Sequence, residues 1–438
     1  MKKIFFISLG CPKNLVDSET LLALLGEKSC AVTSFREEAD IIIVNTCGFL
    51  KDAVRESEET IKKLAREKKK GQKLIVYGCL VQRYGSSFPD IKGVDATAGA
   101  CAPLKVIEAI QNIPGTPSIP IEPQVFSLRL PDYIKGNYNY PRLITTFPYA
   151  YIKISEGCEN FCSYCLIPKI RGPLVSRRIE DILKEARSIE GMGIKELILV
   201  AQDTANYGKD LKEKHGLERL LEKLSALNFR RMRIMYLHPA HLTDGMLKTI
   251  ASEPKICRYL DIPLQHIHPD MLKKMNRPVL DYGRIVDRIR TAVPGIRLRT
   301  TLITGFPGEK GVHFKAMEAF VKEREFDRLG VFRYSREEGT PAYGMNGQVP
   351  EKVKREREKR IMELQREISR RKLKKLKGEE MEVLVEGKKG RCFTGRTEFD
   401  APDIDGTVYI KTKKQLKTGD FCRVKITSSD NYDLFASY

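Results

Sequence analysis

The 438-residue sequence lacks any apolar run that approaches the roughly 20 residues needed to span a bilayer. Its first residues, MKKIFFISLGCPKN, imitate a secretion signal, but their apolar core is short and no small-residue cleavage site follows. We therefore interpret this segment as a first β-strand and expect a cytoplasmic protein that contacts no membrane. With 42% apolar and 31% charged residues, the composition is typical of an ordinary soluble protein.

Histidine is scarce, with six residues, whereas cysteine is abundant, with eleven. In a chain without a secretion signal, so many cysteines favour metal or redox chemistry over a disulfide framework. Cys158, Cys162 and Cys165 lie close together in SEGCENFCSYCLIPKIRG. A structural zinc site has four ligands, and no fourth cysteine or histidine follows closely. The triplet therefore suggests a metal centre with one coordination position left open.

Acidic residues are outnumbered by basic ones. The chain has 77 Lys and Arg against 57 Asp and Glu, which gives a formal charge of +20 and a pI near 9.4. This balance suggests a polyanionic partner or setting, such as RNA or the ribosome. Lysine-rich surfaces also accompany adaptation to heat, so that alternative stays open.

Residues 1–112 alternate short apolar runs with helical patterns. The runs are KIFFISLG, ADIIIVNTCG and KLIVYGC. Buried strands that alternate with helices predict an open parallel α/β domain. Residues 113–148 are rich in proline and have little periodicity, which predicts a linker.

Over residues 149–350 the alternation resumes with a longer period. The candidate strands are YAYIKIS, ELILVAQ, RRMRIMYLH, RYLDIPLQ, GIRLRTTLITG and DRLGVFRYS. The helical stretches between them lie near 178–190, 217–226, 243–252, 269–292 and 311–325. Six units of this kind fit a partial parallel (β/α)6 barrel better than an open sheet.

The last part of the chain divides into a basic connecting helix over residues 351–376 and a small all-β barrel over residues 377–438. The barrel segment is formally neutral, whereas a module that grips RNA should be basic. For the helix, two interpretations stay open: weak contact with RNA, or a solvated face packed on the central barrel.

Three further cysteines follow predicted strands of the first domain. Cys11 follows KIFFISLG, Cys47 follows ADIIIVNT and Cys79 follows KLIVYG. The carboxyl ends of parallel strands share one edge of a sheet, so these thiols can converge although they are far apart in sequence. The alternative is that they are small buried residues at strand ends.

The spacing Cys158-x3-Cys162-x2-Cys165, with Tyr164 before the last cysteine, resembles the signature of the radical S-adenosylmethionine (SAM) superfamily. The resemblance implies that these cysteines hold a 4Fe–4S cluster whose free iron binds SAM. It also implies that an electron from the cluster splits SAM into methionine and a 5′-deoxyadenosyl radical. The triplet follows the strand YAYIKIS, at the end where parallel barrels place their active sites.

Motifs outside the triplet resemble the methylthiotransferase family within this superfamily. They are SLGCPKNLVDSE, NTCGF, GCLVQRY, RGPLVSR, YLHPAHLTD, LDIPLQH, TGFPGE and, in a C-terminal TRAM domain, GRTEFDAPDIDG. The resemblance implies that Cys11, Cys47 and Cys79 hold a second 4Fe–4S cluster, which carries the sulfur to be delivered. It also implies an electron donor such as a flavodoxin or ferredoxin.

The sequence Cys11-Pro12-Lys13-Asn14 resembles the branch of this family that modifies the β-carbon of an aspartate in ribosomal protein S12. The other branch modifies a hypermodified adenosine in tRNA and usually has methionine and asparagine after its first cysteine. That branch remains the alternative. An alternative from a different class is a non-catalytic iron–sulfur protein that binds RNA.

The resemblance also implies SAM contacts, each with a structural alternative. Tyr164 is expected near the adenine, unless it simply excludes water. Gln202 and Asp203 are expected at polar groups of SAM, unless they cap a loop. Gly305 and Glu309 are expected at SAM as well, unless they form only a Pro-Gly turn.

The radical chemistry needs no acid or base residue, so a structural role is favoured for the four histidines near these motifs, namely His238, His241, His266 and His268. The remaining cysteines are interpreted as core or incidental residues: Cys30, Cys101, Cys257, Cys392 and Cys422. Three features depart from the family pattern and place substrate contacts in question: Arg178, His268 and residues 311–318.

Overall fold

The structure is a computed structural model that describes residues 2–28, 30–100, 103–111 and 140–438. These residues form a five-stranded sheet, a six-stranded sheet and a closed five-stranded barrel, in that order along the chain. The predicted α/β architecture with an all-β end is confirmed. Cys101 and most of the predicted linker lie outside the described residues. The domain limits given above stay a prediction.

The first unit is a parallel sheet with the strand order β2-β1-β3-β4-β5. Its elements are β1 (Lys2–Ser8), α1 (Pro12–Glu27), β2 (Cys30–Val32), β3 (Ile41–Thr46), α2 (Lys51–Glu67), β4 (Lys73–Gly78), α3 (Cys79–Tyr84), β5 (Ala96–Gly99) and α4 (Pro103–Gln111). Every residue of β3 is buried, which explains its continuous apolar run. The edge strands β2 and β5 were not predicted, because they are too short to show a pattern.

The second unit is a parallel sheet with the order β13-β12-β11-β10-β9-β6, curved into a partial barrel. Its elements are β6 (Tyr149–Lys153), β7 (Ser155–Glu156), α5 (Ile167–Arg171), β8 (Val175–Ser176), α6 (Ile179–Gly191), β9 (Glu196–Val200), α7 (Gly216–Ser225), β10 (Arg231–Ile234), α8 (Asp244–Ser252), β11 (Ile256–Asp261), α9 (Pro269–Lys274), α10 (Tyr282–Ala292), β12 (Arg297–Thr304), α11 (Gly311–Arg324) and β13 (Arg328–Arg333).

One predicted helix, over residues 269–292, is wrong, because the structure has two helices there. α9 ends at Lys274, and α10 begins at Tyr282. Pro278 lies between them, and a proline disfavours helical backbone in the residue before it. The Asp281 side chain then accepts a hydrogen bond from the Arg284 amide at 3.0 Å, which caps the second helix.

The third unit is a closed barrel that follows a long helix. Its elements are α12 (Glu351–Lys374), β14 (Glu380–Lys389), β15 (Cys392–Arg396), β16 (Val408–Lys411), β17 (Phe421–Ser429) and β18 (Leu434–Ser437). The helix α12 packs Ile361 and Ile368 into the main core beside β13. Its basic residues are mostly exposed, and no helix among the described residues is both long and apolar enough to cross a membrane.

Buried charges join the closed barrel to the inner face of the partial barrel. Glu196 of β9 lies 2.7 Å from Nε of Arg233 and 3.0 Å from Nη2 of Arg396, which comes from β15. Burial alone would raise the pKa of Glu196, but the two arginines lower it to about 2. The carboxylate is therefore ionised and shared between the two units.

Replacing Arg396 with methionine should destabilise the chain by about 3 kcal/mol, because it removes one of the two partners of the buried Glu196 and the ion-pair partner of Glu386. The measurement is the urea midpoint of unfolding at neutral pH. Since the pKa of Glu196 lies below its ordinary value of 4.5, its ion pair is present above pH 4.5 and is lost as the pH falls towards 2. The difference from wild type should shrink over that range.

Arg391→Met is the matched control, because Arg391 is exposed in the same β-hairpin. It should leave the midpoint unchanged. Equal midpoints for Arg396→Met and Arg391→Met would show that the buried charges contribute nothing to the docking of the two units.

Candidate functional site

The cysteines of the first unit converge as the sequence predicts. Cys11, Cys47 and Cys79 follow β1, β3 and β4, which are neighbours in the sheet. Cys11 begins α1 as its N-cap, and Cys79 is the first residue of α3. The pKa of Cys79 is raised to about 12, chiefly by burial and also by the charges of Cys11 and Cys47, while Arg171 acts to lower it. The three thiols therefore share one electrostatic environment.

Glycines allow the three loops to approach each other. Gly10 has a φ of +99°, and a Cβ atom there would lie 3.0 Å from Cβ and 3.3 Å from Sγ of Cys47. At Gly48 a Cβ atom would lie 2.6 Å from the carbonyl oxygen of Cys79. A side chain at Gly10 would therefore crowd the Cys47 thiol, and one at Gly48 would meet the backbone of Cys79. Three thiols on loops this close together fit the ligand set of an iron–sulfur cluster.

Two polar side chains, Asn14 and Arg171, contact this group of cysteines. The Asn14 amide nitrogen donates to the carbonyl oxygens of Leu9 and Thr46, at 3.1 Å each, and ties the loops after β1 and β3 together. Its oxygen lies 3.3 Å from Sγ of Cys79. Arg171 of α5 places Nη2 3.0 Å from the same sulfur. A buried cation beside a thiol favours the thiolate, which is the form that binds metal.

The second group of cysteines lies in the loop between β7 and α5. Gly157 opens this loop with a φ of +75°, and a Cβ atom there would lie 1.9 Å from the carbonyl oxygen of Pro173. The Cys158 amide donates to Gly172 at 3.1 Å. Burial raises the pKa of Cys165 to about 12, and Cys162 and Cys158 contribute in the same direction. These thiols therefore also converge, at the mouth of the partial barrel.

A second buried arginine serves this group. Arg277 places Nη1 3.8 Å from Sγ of Cys162 and 3.5 Å from the Tyr164 hydroxyl, and it donates to the Pro263 carbonyl at 2.8 Å. Arg277 thus lies beside a thiol of the second group, as Arg171 lies beside a thiol of the first group. Both arginines would offset the negative charge of a thiolate-ligated cluster.

Tyr164 and the residues around it form an apolar wall beside the second group. The buried apolar residues of this wall are Met271, Met275, Ile303, Phe306, Tyr334 and Ala342, and Tyr164 and Met345 pack against them. The wall gives the second group an apolar boundary on the Tyr164 side, while the cysteines themselves stay partly exposed. The position is compatible with the expected contact between Tyr164 and SAM, which stays a prediction.

Asp203 holds the cysteine loop in place. Its Oδ2 accepts a hydrogen bond from the Asn160 amide at 2.9 Å and lies 2.6 Å from Nδ1 of His241. Its Oδ1 accepts from the His238 backbone amide at 3.2 Å. Burial alone would raise the pKa of Asp203, but His241 and Asn160 hold it below its ordinary value. Asp203 is thus an ionised anchor for the loop that carries Cys158 and Cys162.

Buried ion pairs connect the two cysteine groups. Lys153 Nζ lies 2.5 Å from Asp17 and 2.6 Å from Glu156. Arg171 Nη1 lies 2.8 Å from Asp17 and 3.1 Å from Glu156. The Gln202 amide donates to the other oxygen of Glu156. Asp17 belongs to α1, so one network of charges spans the first unit and the partial barrel.

Gly305 and Glu309 lie on the side of the barrel that faces α12. The Gly305 amide donates to Glu309 at 3.1 Å, and a Cβ atom at Gly305 would lie 2.3 Å from Cγ of Lys354. Glu309 also pairs with Arg357 and lies 3.5 Å from Nε2 of His266. These contacts give both residues a clear structural role. Their expected contact with SAM stays a prediction.

The departures from the family pattern have local structural explanations. His268 accepts a hydrogen bond from the Asp270 amide at 3.2 Å and caps α9. His313, within residues 311–318, accepts from the Lys310 amide at 3.1 Å and caps α11. The two imidazole rings lie 4.4 Å apart. Arg178 is exposed at the start of α6.

The other described cysteines lie away from the two groups. Cys257 packs inside the partial barrel and Cys422 inside the closed barrel. Cys30 begins the edge strand β2, and Cys392 begins β15. Their interpretation as core or incidental residues stays a prediction.

Comparison with protein families supports each part of this description. Residues 3–99 match the "Uncharacterized protein family UPF0004", residues 152–321 match the "Radical SAM superfamily" and residues 378–438 match the "TRAM domain".

Two curated relatives decide the family. The "Ribosomal protein uS12 methylthiotransferase RimO" of Pelotomaculum thermopropionicum is 47% identical over 443 residues, which cover 99% of this chain and 98% of the relative. The protein of the same name from Acetivibrio thermocellus is 46% identical and covers 99% of this chain and 97% of its own length. This chain belongs to the RimO family. It is therefore a radical SAM methylthiotransferase, as predicted, and a non-catalytic RNA-binding protein is set aside.

Solved structures support the fold of this RimO family member. The radical S-adenosylmethionine methyltransferase TsrM from Kitasatospora setae superposes with a TM-score of 0.57 and 15% identity, and the match covers 78% of this chain and 77% of TsrM. At this identity the likeness concerns the fold alone.

Several site residues were not singled out from the sequence. Asn14 and Arg171 lie inside quoted motifs, CPKN and RGPLVSR, where their polar character among glycine, proline and apolar residues was an available signal. Glu156 stands directly before the cysteine loop. Arg277 lies more than 100 residues from the cysteine that it contacts, and no local pattern marks it.

Gly10→Ala should lower the iron bound per chain after anaerobic reconstitution to about half of the wild-type value, because the added methyl group meets the Cys47 side chain and disturbs one of the two cysteine groups. Iron and protein assays on the purified chain make the measurement. Gly26→Ala in α1 is the matched control, since a Cβ atom there meets nothing within 4 Å. Wild-type iron content in Gly10→Ala would contradict this account of the close approach at Gly10.

Proposed function

We propose that this protein adds a methylthio group to the β-carbon of an aspartate in ribosomal protein uS12. In this proposal Cys158, Cys162 and Cys165 bind one 4Fe–4S cluster and SAM. Cys11, Cys47 and Cys79 bind a second 4Fe–4S cluster. The observation that carries the proposal is the presence of two separate groups of three thiols joined by one buried network of charges. The printed names of the relatives support the substrate.

When bound, the clusters would supply the electron that cleaves SAM to a 5′-deoxyadenosyl radical and the iron that carries the sulfur. The residues of this chain orient and protect these reactants. Arg171 and Arg277 offset the charge of the thiolates, and the apolar wall at Tyr164 bounds the second cysteine group on one side. Asp203 fixes the cysteine loop through Asn160. No acid or base residue is required, since the proposed reaction begins with removal of a hydrogen atom.

Two buried polar atoms support a bound ligand beside the cysteine loop. Oε1 of Gln202 and Nε2 of His238 have no hydrogen-bond partner among the described residues. Buried polar atoms are nearly always satisfied in native proteins. We propose that SAM satisfies Gln202 and that Tyr164, Asp203, Gly305 and Glu309 complete its surroundings. The reductant is proposed to be a flavodoxin or ferredoxin, and the site of action is the cytoplasm.

The direct test offers the reconstituted chain, SAM and a reductant to uS12 and to unmodified tRNA in parallel. Mass spectrometry should find one added methylthio group on an aspartate of uS12 and none on tRNA. Modification of tRNA alone would keep the chemistry and overturn the substrate. Modification of neither substrate, despite deoxyadenosine formation, would overturn the proposal.

Cysteine variants in the same assay separate the two centres. Cys162→Ala should abolish both deoxyadenosine formation and methylthio transfer, whereas Cys47→Ala should keep deoxyadenosine formation and abolish the transfer. Cys30→Ala is the control, since Cys30 lies on an edge strand of the same unit as Cys47. A Cys47→Ala variant that still forms product would show that the first unit carries no sulfur.

We also propose a weak contact with ribosomal RNA. The exposed basic residues Arg370, Lys374 and Lys377, at the end of α12, line a groove with Ser428 and Ser429 of β17. Glu367 is the acidic residue of this groove. A cationic groove beside hydroxyl groups suits phosphates.

The double variant Arg370→Glu, Lys374→Glu should bind ribosomal RNA more weakly. The slope of log K against log salt should fall by about 0.9 for each phosphate that the variant no longer neutralises. Filter binding at several salt concentrations makes the measurement. Lys413→Glu, an exposed lysine of the closed barrel, is the control. An unchanged slope in the double variant would remove this groove as an RNA-binding surface.

A further inference from the structure

An open cavity of about 380 Å³ lies where the three units meet, next to Cys11. The first unit contributes the loop around Gly10 and Cys11, and the partial barrel contributes Tyr151 and Tyr236. The closed barrel contributes residues 401–404. A substrate that enters here reaches Cys11 directly. The question is which group fixes its orientation.

Lys13 lies beside this cavity without an ion-pair partner among the described residues. Its Nζ atom lies 3.8 Å from the centre of the Tyr236 ring and 3.4 Å from the carbonyl oxygen of Ala201. In the part of the chain that the structure describes, no carboxylate lies within 4.0 Å of it, in contrast to Lys153 nearby. The direct contacts of this partly buried ammonium are a ring face and one carbonyl, and Asp261 lies beyond ion-pair distance although Lys13 acts to lower its pKa. Such an ammonium can accept an anionic ligand.

The position of Lys13 relates it to both cysteine groups. It follows Cys11 by two residues, and the Ala201 carbonyl directly precedes Gln202 and Asp203. Asp203 holds the loop of Cys158 through Asn160 at 2.9 Å. The ammonium therefore lies close to the segment that follows β9 and leads to Gln202 and Asp203.

The backbone of Tyr236 is specialised for this arrangement. Its φ of +61° is in the left-handed region, which is uncommon for a residue with a large side chain. The Tyr236 carbonyl accepts from the Thr204 amide at 3.0 Å, and its amide donates to Asp261 at 3.3 Å. Backbone of this kind clusters at functional sites, where the surrounding structure maintains it. In this protein the backbone of Tyr236 positions its ring against the Lys13 ammonium.

We propose that Lys13 is a substrate-binding and specificity-determining residue that pairs with the side-chain carboxylate of the target aspartate. The inference rests on the proposed function. The carboxylate is bonded directly to the β-carbon that would receive the sulfur. An ion pair with Lys13 therefore fixes that carbon next to Cys11 and turns it toward the loop of Cys158. An RNA base offers no such carboxylate.

SAM also carries a carboxylate, so the experiment separates the two sources. The full reconstituted chain and its Lys13→Met variant are compared with uS12 and with uS12 whose target aspartate is replaced by asparagine. The measured quantities are kcat/KM for methylthio transfer, the KM for SAM and the rate of deoxyadenosine formation. Lys63→Met is the control, since Lys63 is exposed on α2.

Lys13→Met should lower kcat/KM for uS12 roughly 10- to 100-fold, because it removes one charge-assisted contact. The KM for SAM and deoxyadenosine formation should stay unchanged, and Lys13→Arg should recover part of the activity. The asparagine substrate should be impaired with wild type but suffer no further reduction with Lys13→Met, as expected for two groups that contact each other.

A raised KM for SAM with equal reductions on both substrates would assign Lys13 to SAM and overturn the inference. So would wild-type kcat/KM in Lys13→Met. Iron content and thermal unfolding check that the variant is intact, and Lys13→Gln repeats the test if it is not. Absence of product with the wild-type chain would instead overturn the proposed function, and the two failures are thus distinguishable.

Discussion

The structure depends on buried ion pairs between α1 and the start of the partial barrel. Asp17 and Glu156 share Lys153 and Arg171, and all four side chains are buried. Removing such charges from water is costly, and the cost is recovered only if every charge finds a partner. Ion pairs are directional, so these four buried side chains constrain how α1 docks on the partial barrel. The network therefore constrains the register between two units that each hold three thiols.

The same arginine performs a second task. Arg171 contacts Asp17 and Glu156 with Nη1 and turns Nη2 to Cys79 at 3.0 Å. Docking of the units and the electrostatics of the first cysteine group are thus coupled through one guanidinium. A planar group with several fixed donors can serve two acceptors at once, which a lysine ammonium does less well. Separation of the units would consequently remove a charge from Cys79 as well as open the cavity beside Cys11.

The sequence predicts where the cysteines lie but little about the residues that surround them. Strand-end positions of Cys11, Cys47 and Cys79 followed from local patterns, because a parallel sheet brings the carboxyl ends of its strands to one edge. The break between α9 and α10 was missed, although Pro278 marks it. Contacts such as Arg277 with Cys162 join segments over 100 residues apart and depend on the curvature of the whole sheet. A local sequence pattern therefore cannot predict such contacts.

The closed barrel contacts the partial barrel through charged residues that its net charge does not reveal. The segment is formally neutral, yet Arg396 enters the partial barrel to meet Glu196, and residues 401–404 border the cavity at Cys11. Some of its charged residues therefore form ion pairs inside the protein and are not exposed to a partner. The net charge of a segment describes its surface poorly when ions of both signs are buried at an interface. The closed barrel also lines the cavity beside Cys11, and its formal neutrality says little about RNA.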